Sequence, residues 1–154
     1  MRRLLYTVIA ALLCAACAAT PEATPERDAE AKRFEAASRS AVIYLYRADF
    51  SSTGVTTITV DGRLVGQSLP RTYFRVFAWP GRNRIQATGS DAGRLEIQTD
   101  DGGVYFVSMN VLGETESSST TIFRSATPEV GKAAIQRCCT MLETWRPGQS
   151  RFNF

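Results

Sequence analysis

The chain of 154 residues contains no histidine. That absence removes the usual general base of acyl-transfer triads, the commonest zinc ligand and the one side chain that titrates near neutrality. No Gly-x-Ser-x-Gly elbow, phosphate-binding loop or dinucleotide fingerprint takes its place. A pair of carboxylates alone can still cleave a glycosidic bond. The candidates here, Asp100 with Asp101 and Glu114 with Glu116, sit in turn-like sequence and read as solvated loops. No catalytic residue, metal site or cofactor is therefore expected, and the chain is not expected to be an enzyme. Charge of one sign is also scarce. There are 18 basic and 15 acidic residues, and beyond residue 16 the balance falls to 16 against 15. A surplus confined to Arg2 and Arg3 argues against a nucleic-acid partner. No apolar run approaches the roughly 20 residues that a membrane-spanning helix needs.

What is present begins at the N-terminus. Met1-Arg2-Arg3 is a short basic region, residues 4–13 are almost wholly apolar, and Ala15, Ala16, Ala18 and Ala19 follow. That is the layout of a secretory signal peptide. Cleavage requires small side chains just before the cut. Ala15 and Ala16 precede Cys17, whereas bulky Leu12 and Leu13 precede Cys14. The stretch resembles the bacterial lipoprotein signal, in which a small residue precedes a cysteine that becomes the diacylated new N-terminus. It departs in one respect, with Cys14 where that signal usually carries Leu. The resemblance implies that Cys17 is lipidated, that Cys14 leaves with the peptide, and that no Cys-x-x-Cys pair survives. Several acyl chains would hold the protein to a membrane where one chain would not. Ala18, in place of an Asp, implies the periplasmic side of the outer membrane. The alternative is ordinary cleavage and a soluble periplasmic product.

Four segments are expected: a signal peptide over 1–16, a lipid-anchored linker over 17–39, a folded domain over 40–142 and a C-terminal tail over 143–154. In the linker, Thr24 can cap a helix with Pro25 at its first position, giving a weakly helical stalk over 25–37. A disordered tether is equally consistent, because so short an isolated helix is marginal in water. From residue 41 the composition turns to β-branched and aromatic residues. Strands are expected over 41–46, 55–60, 63–65, 72–78, 83–88, 94–99 and 104–112, with 120–123 as a further candidate. Asp61-Gly62 is a strong hairpin signal, Gly66 permits a bulge, and Pro80-Gly81 marks a turn. Thr127-Pro128 starts a short helix over 128–137. The fold class is mainly β: an antiparallel β-sandwich of about seven strands with one short C-terminal helix, preceded by a signal peptide and a flexible or weakly helical linker.

Residues 41–47 (AVIYLYR), Ile58-x-Val60-Asp61-Gly62-x-x-Val65-Gly66, Tyr73-Phe74, Trp79-Pro80-Gly81, residues 104–107 (VYFV) and a cysteine-bearing close after a short helix occur in that order. The set resembles the bacterial domain of unknown function 2846, a PEGA-like β-sandwich surface module found in small exported proteins and lipoproteins. The likeness covers residues 40–142. It departs at Arg82-Asn83, where that family usually carries Lys or His, and it implies no catalytic residues.

Two features remain. Cys138 and Cys139 are adjacent, so three states are open: a buried core thiol beside an extra one, a vicinal disulfide, or an intermolecular or redox role. The resemblance, with one cysteine at this place, implies the first. Tyr73, Arg75 and Phe77 share one face of a strand that runs into Trp79. They form a candidate glycan- or peptide-binding surface, or else they are packed core. The expected function is a membrane-anchored, non-catalytic envelope lipoprotein that docks an envelope protein, and type VI secretion has a similar-looking sandwich lipoprotein. The alternative is a lipoprotein that binds glycan or peptidoglycan.

Overall fold

The computed structural model describes residues 20–49, 52–89 and 93–145. The signal peptide, Cys17 and the tail from residue 146 lie outside the described residues.

Two sheets pack face to face. One has five strands in the order β8-β7-β1-β4-β9: β1 Ala41–Arg47, β4 Thr72–Ala78, β7 Val104–Leu112, β8 Thr120–Ala126 and β9 Thr140–Leu142. The other has four in the order β3-β2-β5-β6: β2 Thr56–Val60, β3 Arg63–Ser68, β5 Gly81–Ala87 and β6 Arg94–Thr99. The mainly β sandwich expected from the sequence is therefore the observed fold, with nine described strands instead of about seven. The expected antiparallel pattern holds throughout the smaller sheet. The larger sheet is mixed, because β1 pairs with β7 and β4 with β9 in parallel. A strand's own alternation reports which faces are buried and carries no information on its neighbour's direction.

Local chemistry accounts for the elements. Asp61 (φ 50°) and Gly62 (φ 75°) supply the two positive torsions of the β2–β3 turn. Gly66 (φ 155°) sits where the β2–β3 ladder slips between Ile58 and Thr59, and a Cβ there would meet the Phe74 ring at 2.9 Å. The continuous apolar run of β1 is buried at every position, as a strand covered on both faces must be. By contrast β2 and β5, with one face in the core, alternate.

The inner face of the sandwich is closed by Ile43, Leu45, Ile58, Val60, Phe74 and Ile85, with Val107 and Met109 from β7. A second apolar layer lies on the outer face of the five-stranded sheet. There Val42, Tyr44, Tyr46, Tyr73 and Phe106 pack under two helices, α1 (Pro25–Ala31) and α2 (Pro128–Cys138). Helix α2 leaves β8 at one edge of the sheet and delivers the chain to β9 at the other. Its 11 residues make about 16 Å, close to the roughly 19 Å between those edges.

The linker is where sequence and structure differ most. Thr24 caps α1 with Pro25 following it, as expected, but the helix ends at Ala31 and the segment is not a free spacer. Ala23, Ala31 and Phe34 are buried, and the Phe34 ring meets Tyr44 and Phe106 edge-on at 5.1 and 5.6 Å. The sheet's outer aromatic face needs a cover, and this segment supplies half of it. Residue 20 onward belongs to the folded body.

Gly131 of α2 rests on Phe106, where a Cβ would lie 2.4 Å from the ring. Alanine normally improves a helix interior by up to about 1 kcal/mol. Here overpacking should win, and Gly131→Ala should lower stability by about 1–3 kcal/mol, read from the urea midpoint. A midpoint that rises would show that α2 is not seated on Phe106.

Candidate functional site

Tyr73, Arg75, Phe77 and Trp79 were a candidate binding surface with packed core as the alternative. The structure divides them. Tyr73 is fully buried beneath α1, whereas Phe77 is 49% exposed and Trp79, just past the strand end, is 77% exposed. Arg75 is half-buried between them, its guanidinium 5.0 Å from the centre of the Phe77 ring and 3.5 Å from Glu30 Oε1. Helix α1 ends the cover at Arg75, so the surface that remains is Arg75, Phe77 and Trp79. Tyr73 takes the packed alternative.

Beside Phe77 a cleft of about 180 Å³ is walled by Arg27, Glu30, Arg75, Leu142, Glu143 and Thr144. Arg27 pairs with Glu143 across it. The Nε of Arg75 is buried with no hydrogen-bond partner among the described residues. The chemistry of this corner is that of a stacking surface with guanidinium donors, suited to binding a flat or anionic group.

The residue that the sequence did not signal is Asp28. Its Oδ1 accepts from the Tyr73 hydroxyl and from the Met141 N–H, both at 2.9 Å, and its Oδ2 accepts from Lys32 Nζ at 2.7 Å. Burial, and then the hydrogen bond to this carboxylate, push the Tyr73 hydroxyl well above the usual tyrosine range. Burial likewise raises Tyr44, whose hydroxyl donates to the Ala31 carbonyl at 2.7 Å, and Tyr46. Phe34, standing alone among polar linker residues, was the available clue that this segment docks.

Arg47 is a second unforeseen feature. Fully buried at the end of β1, it donates to the carbonyls of Gly54 and Ser52 and lies 3.5 Å from Asp49. Its role is to hold the β1–β2 connection.

Cys138 and Cys139 are joined in a vicinal disulfide. Side chains of adjacent residues diverge within regular structure, but this pair straddles a junction. Cys138 closes α2, while Cys139 is already extended (φ −121°, ψ 142°) and buried in the outer layer. The candidate carboxylates lie outside the strands, and Glu116 opens a short 3-10 helix, Glu116–Ser118. Asp100 and Asp101 lie between β6 and β7, and Glu114 lies beyond the opposite end of β7. Among the described residues no group of three or more Cys, Asp or Glu converges as a metal site, and no helix is long and apolar enough to cross a membrane.

A separate apolar spot lies at the far edge of the same outer face. Leu112 of β7 and Ile122 of β8 are 45% and 38% exposed. Leu112 faces Thr120 across the strands, which makes Ile122 its diagonal neighbour.

Comparison with known proteins adds one relative. The chain is 29% identical over 100 residues to an uncharacterized protein of Haemophilus influenzae, across 63% of this chain and 60% of that one. It thus spans less than two thirds of the relative's length. No family model matches the chain. No solved structure matches it either.

The raised tyrosines set an alkaline limit. The unfolded chain ionises its tyrosines near pH 10, while folded Tyr73 stays neutral to higher pH. Its stabilising contribution is therefore full below pH 10 and is lost above it, at about 1.4 kcal/mol per pH unit. Tyr73→Phe should cost about 1 kcal/mol at pH 7 through the lost hydrogen bond. It should also flatten the decline in urea midpoint above pH 10, with Tyr44 and Tyr46 carrying the remainder. An unchanged alkaline slope would place Tyr73 in water.

Proposed function

We propose that the chain is an envelope lipoprotein, exported, cleaved before Cys17, acylated there, and held on the periplasmic side of the outer membrane as a non-catalytic docking module. The observation that carries this reading is the run of basic, apolar and small residues that ends in Ala-Ala-Cys17, three residues before Thr20, which is bound to the sandwich through Gln67. The ordered motifs that resemble the domain-of-unknown-function-2846 lipoproteins support it, and a compact sandwich suits a binding module as well as any other role. The exposed pair Leu112 and Ile122 is the apolar spot offered to a protein partner.

A second reading, glycan or peptidoglycan binding, is favoured by the guanidinium of Arg75 over the Phe77 ring beside Trp79. Sugar rings stack on such surfaces.

Two measurements test the proposal. Metabolic labelling with radioactive palmitate should mark the wild-type protein and should fall to background in Cys17→Ser; undiminished labelling would refute the anchor. A photoreactive residue at position 122, irradiated in cells, should give a protein adduct absent from the Leu112→Ser background. Recovery of muropeptides alone would reverse the order of the two readings.

A further inference from the structure

We propose that the corner formed by Phe77 and Trp79 is a membrane-contacting surface that rests in the lipid headgroups and fixes the orientation of the domain. The proposal rests on the reading that Cys17 is acylated. Three observations on different parts of the chain converge on it.

The first is the length of the tether. Residues 20–23 are bound into the body: Gln67 N–H donates to Thr20 Oγ1 at 2.8 Å, Glu143 N–H to the Pro21 carbonyl at 2.9 Å, and Ala23 N–H to the Met141 carbonyl at 2.8 Å. From Cys17 to Thr20 is three residues, a reach of roughly 10 Å at full extension. An anchor so short keeps Thr20, and the strands bound to it, within that distance of the acylated residue. It draws the edge formed by β3 and β9 against the bilayer.

The second is the position of the aromatic corner on that same edge. Strand β3 runs from Gln67, which touches Thr20, back to Arg63, whose Nη2 donates to the Phe77 carbonyl at 3.3 Å. Four residues of strand span about 13 Å. Glu143 and Thr144, which wall the cleft beside Phe77, follow directly on β9. Phe77 therefore stands about one strand length and an arginine side chain from Thr20, on the edge to which the tether is bound.

The third is chemistry. Tryptophan, with an apolar body and a single N–H, favours the membrane–water interface. Two arginines lie against its neighbour Phe77: Arg75 stacks on the ring and Arg63 binds the backbone carbonyl. Glu30 and Glu143 are the acidic groups of the cleft, and each already faces an arginine. Arg63, at the exposed start of β3, remains to meet anionic phosphates. A glycan could stack on the same rings, but nothing in glycan recognition calls for a site this close to the acyl attachment.

The test uses the full mature chain. Trp145→Phe leaves Trp79 as its one tryptophan, since the whole sequence contains two. Acylation of Cys17 is first confirmed by mass spectrometry of the purified protein. The protein is then reconstituted in vesicles of equal parts phosphatidylethanolamine and phosphatidylglycerol, with and without brominated acyl chains. Trp79 emission should shift to the blue and fall roughly twofold with the brominated lipid. The companion Trp79→Phe protein, which keeps Trp145, gives the background. Acyl chains present with Trp79 unquenched would overturn the inference alone. So would quenching by added muropeptide in place of brominated lipid, which would give the corner to glycan. Absence of acyl chains would remove the anchor reading and the inference with it.

Discussion

One carboxylate ties three distant parts of the chain. Asp28 sits in a seven-residue helix that could not persist alone in water. It takes the Tyr73 hydroxyl from β4, the Met141 N–H from β9 and the Lys32 ammonium from its own helix. A mostly buried carboxylate is tolerable only when its lone pairs are used, and here three donors use them. The geometry works in both directions. Docking supplies the helix with the tertiary contact it lacks, and the helix covers the hydroxyl-bearing end of β4, which would otherwise open the outer layer to water.

The rest of the outer layer follows from that clasp. With α1 fixed at Tyr73, the chain beyond it brings Phe34 onto Tyr44 and Phe106. Helix α2 closes the other half, with Gly131 allowing contact at Phe106. The short edge strand β9 is held on one side by β4 and on the other by residues 21–23. The cover ends at Arg75, and for that reason Phe77 and Trp79 are left outside while the chemically similar Tyr73 is not.

Most of the strands were legible. β4, β6 and β7 have the bounds that composition and turn signals indicate, and the Asp61-Gly62 turn and the Gly66 slip arise from torsions that favour those residues. The buried β1 was readable as an unbroken apolar run. Pairing direction was not, because alternation is the same in parallel and antiparallel ladders. Nor was the docking of the linker. Its residues are polar enough to pass for a tether, and the interaction that holds them depends on Asp28 meeting Tyr73 and Met141, 45 and 113 residues away. The division of the four candidate residues has the same origin: periodicity places Tyr73, Arg75 and Phe77 on one face, and only tertiary cover decides which of them water reaches. The disulfide of Cys138 and Cys139 depended on a helix ending between two adjacent residues, a boundary that sequence signals locate only to within a few positions.

A body that already includes residues 20–34, and does not start near residue 40, changes what an anchor at Cys17 would mean, because the domain would lie on the bilayer instead of hanging from a stalk. Hydrogen–deuterium exchange on the mature chain tests that most directly. The amides of Ala23 and Met141, which donate to the Met141 carbonyl and to Asp28, should be protected to a degree comparable with Val42 in the centre of the sheet, and Asp28→Asn should release them first. Exchange at Ala23 as fast as in a free peptide, in the wild-type chain, would contradict the account.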